Sequence, residues 1–415
     1  MQLTRVTPVL ILLCALALVV ALPASALADD EEYDTPMEML GDLLFDDVTL
    51  STPMGQSCAT CHDPDVGYTG PDSGINMMGS VYPGAISNRF GNRKPPTSAY
   101  GGDSPVLYYD ADEEVWVGGM FWDGRATGWQ LGDPLAEQAM GPFLNPVEQN
   151  MPTVRLGVFR VWLSPYRALF EEVWGPGSLD FQGDPYASYE MIARSIAAYE
   201  RSRVVNPFDS KFDEFWDAVK DGGLDPASVD MSNYEDFYDY GLSNEEVFGL
   251  AVFNDEEKGM CSLCHTLDEG SAGYPLFTDF TYDNLGVPKN PDNPFYAQKR
   301  FNPDGYDWID PGLGGFLKAA GYDADAYEAE WGKHKVPTLR NVDKRPYPEF
   351  VKAYGHNGFF KSLEEIVNFY NTRDVDMWPE PEVPDTVNDE ELGDLGLTAD
   401  EEAAIVTFMK TLSDQ

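Results

Sequence analysis

Apolar residues recur along most of the chain at helical rather than strand spacing, and the strongest stretches follow capping signals. Ser243 and Glu246 form a capping box, after which Val247, Leu250, Ala251 and Phe253 mark a helix that leads into Cys261. Ser362 and Glu365 repeat the device, with Leu363, Ile366, Val367 and Tyr370 on one face. Thr398 and Glu401 do so again before a last helix over 402–412, and 189–201 reads as a further helix. Residues 279–314 are rich in Pro, Gly, Asn and Asp, which predicts long ordered loops of the kind that cover a cofactor or an interface. No segment alternates with strand period over any length. The pattern predicts an all-α protein with long loops.

The first 28 residues stand apart. One basic residue (Arg5), an apolar stretch over 9–22 and small residues at Ala26 and Ala28 describe a cleavable secretory signal, cut after Ala28. The apolar stretch is short for a membrane span of about 20 residues. Leu13 before Cys14 also argues against a lipoprotein cleavage box. The expected location is therefore the periplasm or the exterior, without a membrane anchor. A chain of 415 residues is long enough for two cores. The acidic, aromatic and weakly periodic stretch 221–240 suggests a boundary near residue 240, giving domains over 29–240 and 241–415.

A formal charge of -44 argues against nucleic acid as a partner. It suits either solvation in a salty habitat or the steering of a basic redox partner.

With the signal removed, four cysteines remain, arranged as Cys58-Ala59-Thr60-Cys61-His62 and Cys261-Ser262-Leu263-Cys264-His265. This C-x-x-C-H pattern is the attachment motif of c-type haem. Two thiols add to the vinyl groups of the porphyrin, and the adjacent imidazole becomes the proximal iron ligand. A redox dithiol or a zinc site fits less well, because the motif occurs twice in an exported chain and tetrahedral zinc would need the distant pairs brought together. The motifs predict two covalent haems, one in each half. Only His62, His265, His334 and His356 exist, and none lies between His62 and His265. The first iron thus lacks a nearby second imidazole, so an open site able to bind peroxide is expected there.

Beyond these motifs the chain resembles the bacterial dihaem cytochrome c peroxidases, and more closely their MauG-like members. The resemblance rests on residues 40–46 before the first motif, on Phe121-Trp122-Asp123-Gly124-Arg125, on Glu137-Gln138-Ala139-Met140-Gly141-Pro142 with Asn145-Pro146-Val147-Glu148, and on the stretch from Lys335 to Val342 with His356-Asn357-Gly358. It implies two tandem cytochrome c-like domains. It also implies a distal pocket of Gln138, Pro142 and Glu148, with Glu148 as acid/base and Gln138 as its polar partner, and Trp122 as a relay between haems. Tyr370 stands fourteen residues after His356, where other family members carry a methionine ligand. The resemblance makes it the second iron's ligand, with Met377 as competitor. His356 is expected to be a hydrogen-bonding residue outside the ligand set, and His334 a surface or propionate-facing one. Lys94 occupies the position of an asparagine that binds calcium between the haems, and a lysine cannot ligate calcium, which puts calcium in question. The implied activity is reduction of hydrogen peroxide at the first haem, with electrons from a small cytochrome or copper protein passed through the second. The alternatives are a MauG-like oxidation of residues in a partner protein and a non-catalytic dihaem electron carrier.

Overall fold

The computed structural model of the protein describes residues 33–415, so the secretory segment read over 1–28 lies outside the described residues. The architecture is mostly helical, with two small antiparallel ribbons, Tyr108–Asp110 with Val115–Val117 and Tyr282–Asp283 with His334–Lys335. No helix among the described residues is long and apolar enough to cross a membrane.

Each attachment motif follows a helix that crosses a later one. Pro36–Phe45, capped by the Thr35 side chain, buries Leu40, Leu44 and Phe45 against Pro185–Glu200. Asn244–Asn254 starts at the expected Ser243–Glu246 capping box and packs against Ala399–Lys410, which starts at the expected Thr398–Glu401 box. Both crossings depend on a glycine. A Cβ on Gly41 would stand 2.0 Å from the Ser195 carbonyl oxygen, and one on Gly249 would stand 2.0 Å from that of Ala404. The two halves therefore share one local solution: backbones brought together where no side chain fits, holding the start of each module against its end.

Two principal cores result. Phe45, Val158, Phe170, Ile192 and Val205 belong to the first; Phe212, Trp216, Phe253, Phe277 and Phe408 belong to the second. Packing thus changes over between Val205 and Phe212, not near residue 240. The reason is the helix Lys211–Asp221, whose stripe of Phe212, Phe215, Trp216 and Val219 is buried among residues of the second half. The acidic stretch after it also follows, with Val229 and Phe237 as buried anchors.

Arg340 ties that helix down. Its guanidinium donates to both Asp213 carboxylate oxygens at 2.7 and 2.8 Å and to the Pro275 carbonyl at 2.9 and 2.7 Å, and the Arg340 side chain is fully buried. Removing one partner leaves the other charge unpaired in an apolar core. Asp213→Asn is expected to cost about 3–5 kcal/mol of stability in a denaturant titration.

Candidate functional sites: two cavities with a shared wall

The first motif opens into a cavity lined by Cys58, Cys61 and His62 together with Gln138, Pro142 and Glu148. Local structure explains the convergence. Asp133 caps the helix Pro134–Leu144, and Gln138 and Pro142 lie four residues apart on one of its faces. Glu148 follows in the turn after the helix, where the Asn145 side-chain amide donates to its carboxylate at 2.9 Å. Burial raises the Glu148 pKa above the ordinary carboxylate value, and Arg125 partly offsets this.

The second motif opens into another cavity. Cys261, Cys264 and His265 line it together with Leu363, Ile366, Val367 and Tyr370, the four residues read as one face of the helix Leu363–Thr372. Burial drives the Tyr370 phenol well above its usual range, with the Cys264 thiol and Asp283 adding to the effect. Met377 is elsewhere. Its side chain is fully exposed at 103 % and does not line the cavity.

Trp122 lines both cavities, as do Lys94, Pro96 and Thr97. Its indole N–H donates to the Lys94 carbonyl at 3.0 Å, its own carbonyl accepts from the Lys335 N–H at 2.9 Å, and the Lys94 ammonium lies 5.9 Å from the ring centroid.

The walls suit a haem in each cavity. His62 Nδ1 donates to the Tyr68 carbonyl at 3.0 Å and His265 Nδ1 to the Phe277 carbonyl at 2.8 Å, which leaves the lone pair on Nε2, the tautomer a metal needs. Burial pushes both imidazoles down to about 4, so the rings are neutral. All four thiols are unpaired in disulfides, and burial raises their pKa values, to about 12 for Cys61 and Cys261. Lys94 and Lys335 are half-buried in the walls, pushed down by desolvation to about 8 and about 7, and neither forms an ion pair among the described residues. Haem propionates would supply these ammonium groups with anions.

His334 does not lie at the surface. It is buried and stacks on His356 with ring centroids 3.6 Å apart, beside Asp310 and on the wall of the second cavity. Asp310 in turn takes a bidentate pair of hydrogen bonds from Arg93 at 2.7 and 2.6 Å. The His356 ring has no side-chain hydrogen bond at Nε2; its carbonyl accepts from the Lys94 N–H at 3.0 Å. Glu200 went unnoticed in the sequence. It lines the first cavity, burial raises its pKa to about 8, and one carboxylate oxygen has no partner. Its position four residues after Ile196, on the apolar stripe of its helix, was the available signal.

Comparison with known proteins supplies a family. The sequence model of the di-haem cytochrome c peroxidase family matches residues 35–221. The methylamine utilization protein MauG of Paracoccus denitrificans is 34% identical, over 97% of this chain and 95% of that protein. The cytochrome c551 peroxidase of Nitrosomonas europaea is 26% identical over 80% of this chain and 71% of its own length. Among solved structures, the diheme peroxidase BthA from Burkholderia thailandensis superposes with a TM-score of 0.73 at 27% identity, covering 92% of this chain and 87% of that one.

Proposed function

The chain belongs to the di-haem cytochrome c peroxidase family and is a peroxide-using haem oxidoreductase; from that premise we propose that hydrogen peroxide is reduced in the first cavity with electrons passed from the second. The observation that carries this reading is Trp122, an indole in the wall of both cavities. Haem attached covalently at Cys58 and Cys61 would supply an iron open to peroxide, and haem at Cys261 and Cys264 a store of oxidising equivalents. His62 and His265 would hold the two irons through Nε2, and Tyr370 would close the second.

The remaining chemistry belongs to side chains. Glu148, as the carboxylate, takes a proton from peroxide and returns it to the departing oxygen, which is general acid/base catalysis. Asn145 holds one of its oxygens in place. Gln138 orients the substrate by hydrogen bonding, and Pro142 forms a wall with no N–H to compete. Trp122, fixed by hydrogen bonds at its indole and its carbonyl, serves as the relay. Lys94 places a cation beside that indole where a divalent ion would be repelled, so adding calcium or a chelator is expected to leave the optical spectra of both haems unchanged.

This reading is tested by steady-state oxidation of a reduced small cytochrome or copper protein with peroxide, for which turnover is expected. A second reading has its own support, the 34% identity to MauG along nearly the whole chain. In it the second haem oxidises residues of a partner protein, and rapid oxidation by peroxide would occur without turnover of small donors. The periplasm, reached through the signal at 1–28, is the proposed location, and the modules proposed around each haem meet between Val205 and Phe212.

A further inference from the structure

The ribbon Tyr108–Asp110 with Val115–Val117 does not line either cavity, yet it presents a linked set of aromatic side chains with two exposed members. Tyr109 faces Trp116 across the ribbon with ring centroids 5.6 Å apart, and Tyr322 meets the other side of Trp116 at 5.4 Å. Tyr109 is 47% exposed and Tyr322 38%, whereas Trp116 is buried. Contiguous exposed apolar surface of this kind marks interaction sites, and aromatic residues dominate binding energy at such sites. The turn that closes the ribbon is acidic. Asp112, Glu113 and Glu114 are exposed, and none forms an ion pair among the described residues.

What distinguishes this edge from the rest of an acidic surface is its connection inward. Trp116 shares a small apolar core with Tyr282 and Leu313. The Tyr282 hydroxyl donates to the Gly118 carbonyl at 2.6 Å, two residues along from Trp116. Tyr282 is paired in the second ribbon with Lys335, whose ammonium lies 5.3 Å from the phenol ring centroid and whose backbone N–H donates to the Trp122 carbonyl. Trp116 and Trp122 are thus joined by packed rings, short covalent runs and two hydrogen bonds. The aromatic set Tyr296, Tyr306 and Trp308 offers less surface: Tyr306 is exposed but Tyr296 is buried, and the Lys289 ammonium lies 5.2 and 5.3 Å from their respective ring centroids.

We propose that the Tyr109–Trp116–Tyr322 edge, with the acidic turn 110–114, is the docking surface for a basic one-electron redox protein, and that the thread through Tyr282 and Lys335 carries its electrons to the second cavity, whose wall Lys335 and Trp122 share. This rests on the peroxidase reading above. The balance is simple: each docking oxidises the partner by one electron, and two electrons with two protons convert one hydrogen peroxide to two waters. Acidic groups at the rim steer the encounter, while the aromatic centre supplies contact area.

The test uses the full dihaem protein and a basic mitochondrial cytochrome c as probe. Binding of oxidised cytochrome c, without peroxide, is measured by titration calorimetry at low ionic strength. The triple variant Asp112→Asn, Glu113→Gln, Glu114→Gln is expected to weaken binding about tenfold and to flatten its salt dependence. A matched control, Glu235→Gln, Asp236→Asn, Asp239→Asn, removes the same charge from an exposed segment anchored by Phe237 in the second core and should bind as the wild type does. Trp116→Phe should slow electron transfer within the complex, read at saturating partner so that a change in affinity does not enter the rate. Equal binding by the triple variant, or equal weakening by the control, overturns the surface; an unchanged transfer rate in Trp116→Phe overturns the thread. Failure of the wild type to consume peroxide would count against the peroxidase reading instead, because binding is read without it.

Discussion

A Tyr370→Phe protein is expected to lose its low-spin ferric signal and gain a second high-spin one, while the first haem's spectrum stays as it was. Tyr370 is the only side chain on the cavity-facing stripe of Leu363, Ile366, Val367 and Tyr370 that offers an oxygen. Burial holds its phenol far above the usual range, so the oxygen carries negative charge only where a strong positive centre compensates, as ferric iron does. An anionic oxygen ligand favours oxidised iron, so its removal should also raise the reduction potential of the second haem and abolish storage of an oxidising equivalent there. Tyr370→Met gives the complementary control: a thioether retains a six-coordinate iron and raises the potential. Optical and EPR spectra of the ferric variants read all of this. A low-spin spectrum unchanged in Tyr370→Phe excludes the ligation.

Glu148→Gln is expected to slow the first reaction with peroxide by about 10²–10⁴-fold, the usual contribution of a positioned acid/base group. The substitution conserves shape and the hydrogen bond from Asn145, so the resting spectrum should not move. The pH dependence is the sharper diagnostic. The active form is the carboxylate, so the wild-type rate rises as pH increases through the Glu148 pKa, and burial places that rise above the ordinary carboxylate range. The amide does not titrate, and this acid limb should vanish in the variant. Stopped-flow measurement across pH checks both statements; a limb that survives belongs to another group, with the buried Glu200 the first to examine.

The sequence revealed much of this arrangement through local signals and less of it through packing. The helices Asn244–Asn254 and Leu363–Thr372 were legible because capping side chains and an apolar stripe occur together in each. The helix Pro134–Leu144 was not, because Gly141 and Pro142 weaken its propensity and only the structure shows Asp133 starting it and Pro142 held within it. Tyr370 and Met377 were both open as ligands on chain position. The difference is tertiary: Tyr370 is on the buried face of a helix, and Met377 is beyond the helix end in solvent. Packing changes over ahead of residue 240 for a related reason. Phe212, Phe215, Trp216 and Val219 do form a stripe, but nothing local says which core it will join; in the fold it packs in the second core, where Asp213 of the same helix pairs with Arg340 across the chain. Of the two places read for His334, surface or propionate-facing, its burial and its place on the second cavity's wall leave the propionate-facing one, and its stacking on His356 joins a strand to a distant loop.

The central claim is that the two haems are unequal, one open for peroxide and the other closed by Tyr370. EPR of the resting ferric protein tests it most directly. One high-spin and one low-spin signal of equal intensity are predicted, with the high-spin signal alone perturbed by a small anionic ligand. Two low-spin signals and no high-spin component would contradict the account, because the first cavity would then have no place for peroxide.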